Sequence, residues 1–540
     1  MIQSSQNPFT FSFPSIWGIA KADFLQRSRS YQFLLTLGVC MYLSYTFVPP
    51  PVSSYLTVHL GNYRGFYNMA WISHSVAMMA CGFLFFAGFF LVNNSIERDI
   101  KTGVGEIIAT TQISNYHYLL GKMLSNFLVL MTIIGGAFLM SIFLFFKYAE
   151  DPSLHIGQLI APFIWMAMPG MMFLASLTVL FEAIFAKRRV LMNTTFVLLF
   201  FFAINPDFPL HDFISKWIDP FAIQSMMLEI ERIAYEQFGV QNETTMSFGY
   251  QILGENIKLE TFHWEGFEYT LNFILSRLVW FPISFIILLI PFKYFHRFEI
   301  RPSTFDLFKK KPKDLVENLE MSIKNNHSFH SIKTLPVVEY SFSFLPLVIA
   351  EWKMMLKGTS KWWWLITLGL WIATIFVPLE ITHLMILPIL WFWQITKISS
   401  ISIKEIESQT ELYIFAAYRP LWRQLLSRIG ALVGWLWFLA LPLLLRLLME
   451  GNVYGFAGVL SGGIFITMSS LCLGEWLESK KLFEALFSAS IYMLLNKAPF
   501  IDFVNAITEN KGTLTFPIYL TISLMFFILI ILGRKRRMTR

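Results

Sequence analysis

Long apolar runs alternate with short charged stretches along the whole chain. They fall at about 31–48, 68–92, 119–146, 161–185, 190–205 and 271–293, and again at about 362–380, 381–398, 425–449, 455–477, 481–497 and 514–533. Each run is near the roughly 20 residues that an apolar helix needs to cross a bilayer, so the pattern predicts twelve membrane-spanning helices. Ahead of the first run, Ile16 to Ser30 mixes Trp17, Ile19, Phe24 and Leu25 with Lys21, Arg27 and Arg29, which predicts a helix lying in the membrane interface. Leu347 to Lys361, with Trp352, Lys353, Met354 and Met355, has the same character. The charged stretch Ser95 to Lys122 is wedged between the second and third runs. In it Ile96, Ile100, Val104, Ile107 and Ile108 recur at helical spacing, Ser95 can cap the start, and Glu97, Asp99, Lys101 and Glu106 fall elsewhere. The expectation is a short amphipathic helix, broken near Gly103 and Gly105, whose apolar and ionic faces suit a partner protein.

Composition agrees with this pattern. Hydrophobic residues make up 55% of the chain and charged ones only 14%, where a soluble chain carries about a quarter charged, so an integral membrane protein is expected. Cys40, Cys81 and Cys472 all lie inside apolar runs and suggest neither a disulfide framework nor a metal cluster. A net charge of +7 raises nucleic acid as a partner, but the basic residues flank apolar runs as the positive-inside rule requires, so topology explains the charge. Arg98, Lys101, Lys122, Lys187-Arg188-Arg189, Lys293 and Arg297 mark the cytoplasmic side. Pro49 to Tyr67 and the acid-rich segment Pro206 to Tyr269 fall outside. Met1 to Pro14 lacks the features of a removable leader, so the first span is expected to be its own insertion signal. With the tail Arg534-Lys535-Arg536-Arg537 inside, both termini are expected in the cytoplasm of a multi-pass inner-membrane, bacterial protein.

The plan repeats. Ile19-Ala20 matches Ile349-Ala350, Leu37-Gly38 matches Leu368-Gly369, and Arg188-Arg189 to Asn205 followed by Pro209-Leu-His-Asp212-Phe213 parallels Lys480-Lys481 to Asn496 followed by Pro499-Phe-Ile-Asp502-Phe503. Six spans per half leave the halves in the same orientation, related by an axis along the membrane normal. The expected domains are a first six-span half at 1–296 with an external insertion at 206–270, a polar cytoplasmic linker at 297–345, and a second six-span half at 346–540. The linker's Lys309-Lys310-Lys311 and Lys313 are expected to be solvated, with weak attraction to anionic lipid.

The opening stretch resembles the first cytoplasmic loop of the permease subunits of ABC-2-type ATP-driven exporters. That loop carries an acidic residue, a Gly, a Glu and a Thr-Pro-x-Ser, then Leu-Leu-Gly-Lys; here they read Asp99, Gly103, Glu106, Thr111-Gln112-Ile113-Ser114 and Leu119-Leu120-Gly121-Lys122, with Gln112 in place of Pro. In the second half Lys404, Glu405, Glu407, Glu411, Arg419-Pro420-Leu421 and Leu425-Leu426-Ser427-Arg428 occupy the same place and depart further. The resemblance implies an all-α permease with interfacial and coupling helices. It implies docking on two copies of a separate ATP-binding subunit through Glu97, Asp99, Gly103, Glu106, Thr111, Ser114, Lys122, Glu405, Glu407, Glu411, Arg419 and Pro420. ATP and magnesium would sit on that partner, with no cofactor in this chain. Pro209, Asp212, Pro499 and Asp502 would shape re-entrant turns, with ordinary helix capping as the plainer reading.

Other chemistry is sparse. No phosphate-loop, zinc-protease or nucleophile-elbow motif occurs, so the chain is not expected to be an enzyme. Arg277, Arg446, Glu182, Glu475 and Glu478 are ionisable groups in or near spans, for which snorkelling and ion pairing compete with function. His74 and His383 lie near span ends and read as interfacial or helix-facing. Trp362-Trp363-Trp364 and Trp391-Phe392-Trp393 read as interface belts and packing, although an aromatic pathway also suits an amphipathic or hydrophobic cargo. Pro220 to Phe238 predicts an amphipathic external helix, serving as a packed cap or an exit gate. The expected function is export. The alternatives are a six-plus-six secondary transporter, or a mechanical or sensory component that moves no cargo.

Overall fold

A computed structural model of the chain describes residues 13–51, 53, 55–61, 63–185, 189–204, 219–238, 246–252, 260–292, 295, 344–417, 420–495, 501–507 and 515–539. Each of the twelve apolar runs contains a helix. In chain order, α1 (Phe13–Ser28) and α2 (Tyr31–Thr46) lead to strands β1 (Tyr55–Leu60) and β2 (Tyr63–Gly65), then α3 (Met69–Val92). The charged stretch forms α4 (Ser95–Lys101) and α5 (Val104–Ala109). Then follow α6 (Asn115–Tyr148), α7 (Ile156–Phe185), α8 (Arg189–Ile204), α9 (Ile223–Phe238), β3 (Met246–Ile252), β4 (Glu260–Phe262) and α10 (Leu271–Pro291).

The second part of the chain opens with α11 (Leu345–Leu356) and α12 (Lys361–Phe376). Next come α13 (Leu379–Trp393) and α14 (Ile395–Ser402), bent by 49° at their junction, then α15 (Lys404–Glu407) and α16 (Glu411–Phe415). It closes with α17 (Pro420–Met449), α18 (Val453–Leu477), α19 (Lys481–Leu495) and α20 (Thr515–Met538).

Seven helices among the described residues are long and apolar enough to cross a membrane, and an eighth if α13 and α14 form one bent span. The helices at Phe33–Thr46 and Lys361–Phe376 are apolar but shorter. The chain thus has the character of a helical, multi-pass membrane protein. Burial follows packing: α3 is enclosed almost all round by α6, α7 and α19, whereas α10 and α20 expose apolar faces. A helix apolar on every side is stable in either setting.

Small residues fix the closest approaches. A Cβ at Gly121 of α6 would lie 2.7 Å from Ile19 Cγ2 and 3.2 Å from the Ile16 carbonyl, so α1 lies along α6 only because that position is bare. Arg446 donates to the carbonyls of Thr374 and Val377 at 2.7 and 2.8 Å, closing the end of α12; this is the plain role for a span arginine.

The departure from an all-helical chain lies beside the N-terminal end of α3. Four strands form a sheet in the order β3-β1-β2-β4, with β1 antiparallel to β2 and β3, and β2 parallel to β4. Leu60 pairs with Tyr63 and Met246, and Tyr63 with Glu260, so two segments expected to be external close on each other. Glu150 at the end of α6 ties the sheet down, accepting from Arg64 at 2.6 and 3.0 Å and from the Tyr67 N–H at 2.9 Å. Its burial favours the neutral acid, but the Arg64 guanidinium outweighs that and holds the carboxyl below its ordinary value. Helix α9 buries Met226 and Ile230 and exposes Leu228 and Tyr235. Asp219 opens it, accepting from Ile223 N–H and Ser225 N–H.

Candidate functional site

The charged stretch is a broken helix. It splits at Gly103, whose φ of +72° ends one piece and starts the next, while Gly105 lies buried inside α5. Its start is not capped by Ser95. The Glu182 carboxylate on α7 instead accepts from Ser95 N–H at 3.1 Å and Ile96 N–H at 2.8 Å, placing a buried acid at a helix N-terminus. The break also divides the apolar stripe. Ile96 is buried, while Ile100, Val104 and Ile107 face outward, Ile107 being 68% exposed. Glu106 and Thr111 are exposed beside them, Glu97 is half-buried, and Ser114 caps α6 by accepting from His117 N–H.

Asp99 and Lys122 point the other way. Lys122 Nζ lies 2.7 Å from Asp99 and 2.9 Å from Asp23 of α1. Asp23 also pairs with Arg27 at 2.8 Å and with Arg98, and accepts from Ser125 at 2.6 Å. Tyr118 donates to Asp99 at 2.8 Å. Burial alone would raise the Asp23 carboxyl, but Arg27, Lys122 and Arg98 outweigh it and hold the group well below the usual carboxylate range. The two docking candidates Asp99 and Lys122 are therefore a strut behind the exposed tip, with no surface to offer a partner.

A second strut backs α15 and α16. Glu405 is buried and pairs with Arg428 of α17 at 2.5 Å and Arg534 of α20 at 3.5 Å. Its carboxyl is likewise depressed: burial raises it, and Arg428, then Arg534, bring it down further. Arg534 and Arg537 reach Glu475 of α18, Arg537 also holds Glu411 at 2.5 Å, Lys480 holds Glu407 at 2.8 Å, and Lys404 bonds Glu351 of α11. Beyond these pairs the tip of α16 exposes Leu412 at 84% and Tyr413 at 82%. Pro420 opens α17, and Arg419 lies outside the described residues.

Of the turn candidates, Asp502 is buried and accepts from Ala506 N–H at 2.8 Å and Ile507 N–H at 3.1 Å. It shapes a turn pressed on Gly458 and Gly462 of α18, where a Cβ would lie 2.5 Å from Val504 O and 2.6 Å from Phe503 O. Pro209, Asp212 and Pro499 lie outside the described residues. Arg277 donates to the Asp219 carbonyl, and His383 bonds the Val504 carbonyl, so both serve packing. The thiols of Cys40, Cys81 and Cys472 are buried and unbridged. Among the described residues no three His, Cys, Asp or Glu side chains gather as a metal site.

Comparison with protein-family models, with curated proteins and with solved structures finds no match.

Sequence reasoning passed over Asp23, Arg534 and Arg537 as individual groups. Asp23 stands four residues before Arg27 on a helix read as interfacial, and that spacing was the available signal. The basic tail reads as a topology marker, yet two of its arginines are buried against carboxylates from three other elements.

Proposed function

We propose that this chain is the membrane permease of an ATP-driven exporter of ABC-2 type. It carries two homologous six-span halves in one chain and is worked by two copies of a separate ATP-binding subunit, to which ATP and magnesium belong. One observation carries the reading: Lys122 pairs with Asp99 and Arg428 pairs with Glu405, at positions the two halves share by sequence. In each case a base near the start of a long span grips an acid in a short helix before it, and apolar side chains are exposed close by, Ile100, Val104 and Ile107 on α4 and α5 and Leu412 and Tyr413 on α16, the short helix after α15. A lever needs a rigid joint to the span and an apolar face for its driver, and these elements have both. Glu182 and Glu475, the acidic groups that a secondary transporter would use for a coupling ion, are taken up by helix capping and arginine pairs.

ATP-driven closure of the partners would push the two elements, and the struts would pass that movement to α6 and α17. The cargo class that suits the aromatic, apolar spans is amphipathic or hydrophobic. The test is affinity purification of the tagged chain from its native membranes, as wild type and as Ile107→Asp with Leu412→Asp. Both sites are exposed, so folding is expected to survive. An ATPase recovered with wild type and lost with the double variant supports the reading. A monodisperse wild-type sample that brings no ATPase down overturns it.

A further inference from the structure

Helix α16 carries the second tip, yet little in its own sequence holds it in place. It is five residues long, too short to be stable alone, and no side chain caps its start. Gln409, two residues before it, takes a φ of +54°, a left-handed backbone that favours glycine. None of the residues of α16 is buried. Its position has to come from another element.

The last turn of α20 supplies it. Arg534 and Arg537 stand three residues apart on one side of that helix with their side chains almost wholly enclosed, while Lys535 and Arg536 between them are exposed. Arg537 spans two carboxylates, Glu475 of α18 and Glu411 of α16, the latter at 2.5 Å. Arg534 lies 3.6 Å from Glu475 and 3.5 Å from Glu405 of α15, and donates to Gln424 of α17 at 2.8 Å. Both guanidinium carbons also stand over the ring of Phe415 on α16, 5.7 and 5.8 Å from its centre. Charge balance at the buried Glu475 accounts for one arginine. It does not account for the reach of Arg537 to Glu411, a carboxylate 34% exposed that water could serve. The first tip is held differently: Glu182, near the inner end of α7 as Glu475 is near that of α18, accepts directly from the first N–H groups of α4.

We infer that the last turn of α20 is a latch for the second tip, with Arg537 and Arg534 as its positioning residues. They fix α16 to α18 and α20, and the tip comes free when the pair between Arg537 and Glu411 is lost. Movement of this tip is handed to α18 and α20 as well as to α17, so the two tips answer to different spans. The inference concerns how α16 is held and does not rest on the permease reading. Its test involves no ATP-binding partner, so the two can fail separately.

The test uses the full chain in nanodiscs, with a nitroxide label on Tyr413→Cys at the second tip or on Ile107→Cys at the first. These positions are 82% and 68% exposed, and the three native thiols are buried, so the label goes to the introduced cysteine. The ratio of mobile to immobile signal reads how firmly each tip is held. Arg537→Gln and Glu411→Gln should each raise that ratio at residue 413 about tenfold, the equivalent of one charge-assisted hydrogen bond, and leave it unchanged at residue 107. Arg537→Lys, whose single ammonium serves one carboxylate at a time, should raise it less. If Arg537→Gln fails to yield monodisperse protein, Glu411→Gln decides, because its side chain is partly in water already. An unchanged ratio at residue 413 in Glu411→Gln overturns the latch, even where Arg537→Gln raises it, since Glu475 would then be the only carboxylate that matters. Equal rises at both tips overturn it as well, by showing a general loosening of the fold.

Discussion

Asp23 holds three cations at once, and that makes it the residue whose loss should be felt most. Arg27, Arg98 and Lys122 converge on it, and Lys122 is almost wholly buried. Asp23→Asn keeps the shape but removes the charge, leaving partners whose desolvation is no longer offset. Breaking a buried pair in this way costs about 3–5 kcal/mol, whereas Glu106→Gln at the exposed tip should cost less than about 0.5 kcal/mol. Thermal unfolding of the purified variants checks the contrast. The pH dependence has a definite sign. Because the folded carboxyl sits below its ordinary value of 3.8, its contribution is fully present above that value and is lost as pH falls through the lower, folded one. The gap between wild type and Asp23→Asn should therefore be constant from about pH 5 to 8 and shrink on acidification. Equal midpoints for the two proteins at neutral pH would dismiss the strut. A lone acid on a half-apolar helix looks like its solvent face, which is why the residue was not legible in the sequence. Arg27 is the one partner its own helix offers, and only the approach of α6 and α4 reveals Lys122, Ser125 and Arg98.

At the scale of elements, close approach is set by what is missing from a side chain. Gly121→Val puts atoms where Ile19 and the Ile16 carbonyl already stand, and forcing α1 off α6 should cost about 1–3 kcal/mol. Gly135→Ala on the same helix meets nothing within 4 Å and should be neutral or slightly stabilising. Limited proteolysis between α1 and α2, together with unfolding midpoints, separates the two outcomes. The helices themselves were readable, because a long apolar run that must satisfy its own backbone in a membrane has one solution. The split of Ser95 to Lys122 at Gly103 was readable for a local reason too. The sheet was not. Its strands are three to seven residues long, and β1 finds β3 across some 190 residues of chain, a pairing that leaves no local trace. Nor was the inward turn of Asp99 and Lys122 readable. Charged residues in a loop between apolar runs look solvated until the struts behind them are seen.

For the whole molecule, the decisive contacts are those joining the part before residue 297 to the part after 343. Helix α19 packs along α3, Phe392 of α13 meets Phe86 and Phe90 of α3 at ring separations of 6.3 and 6.5 Å, and Lys481 donates to the Asn93 carbonyl at 2.7 Å. These contacts reach Asn93, which closes α3 two residues before α4, so the first tip is steadied from the second part of the chain as well as by its own strut. Such an interface is core-like, and its strength should not depend on the covalent link. A chain divided within 297–343 and produced as two segments in one cell is therefore expected to be recovered as a pair through a tag on either. Phe392→Asp, which would bury a carboxylate against Phe86 and Phe90, should lower recovery of the untagged segment by about tenfold or more. Phe438→Asp, at a position 52% exposed, is the control that tells loss of the interface from failure of the second segment to insert. If the segments separate without any substitution, the polar stretch at 297–343 holds the parts together, and a lever pushed at one tip would have no rigid path to the other.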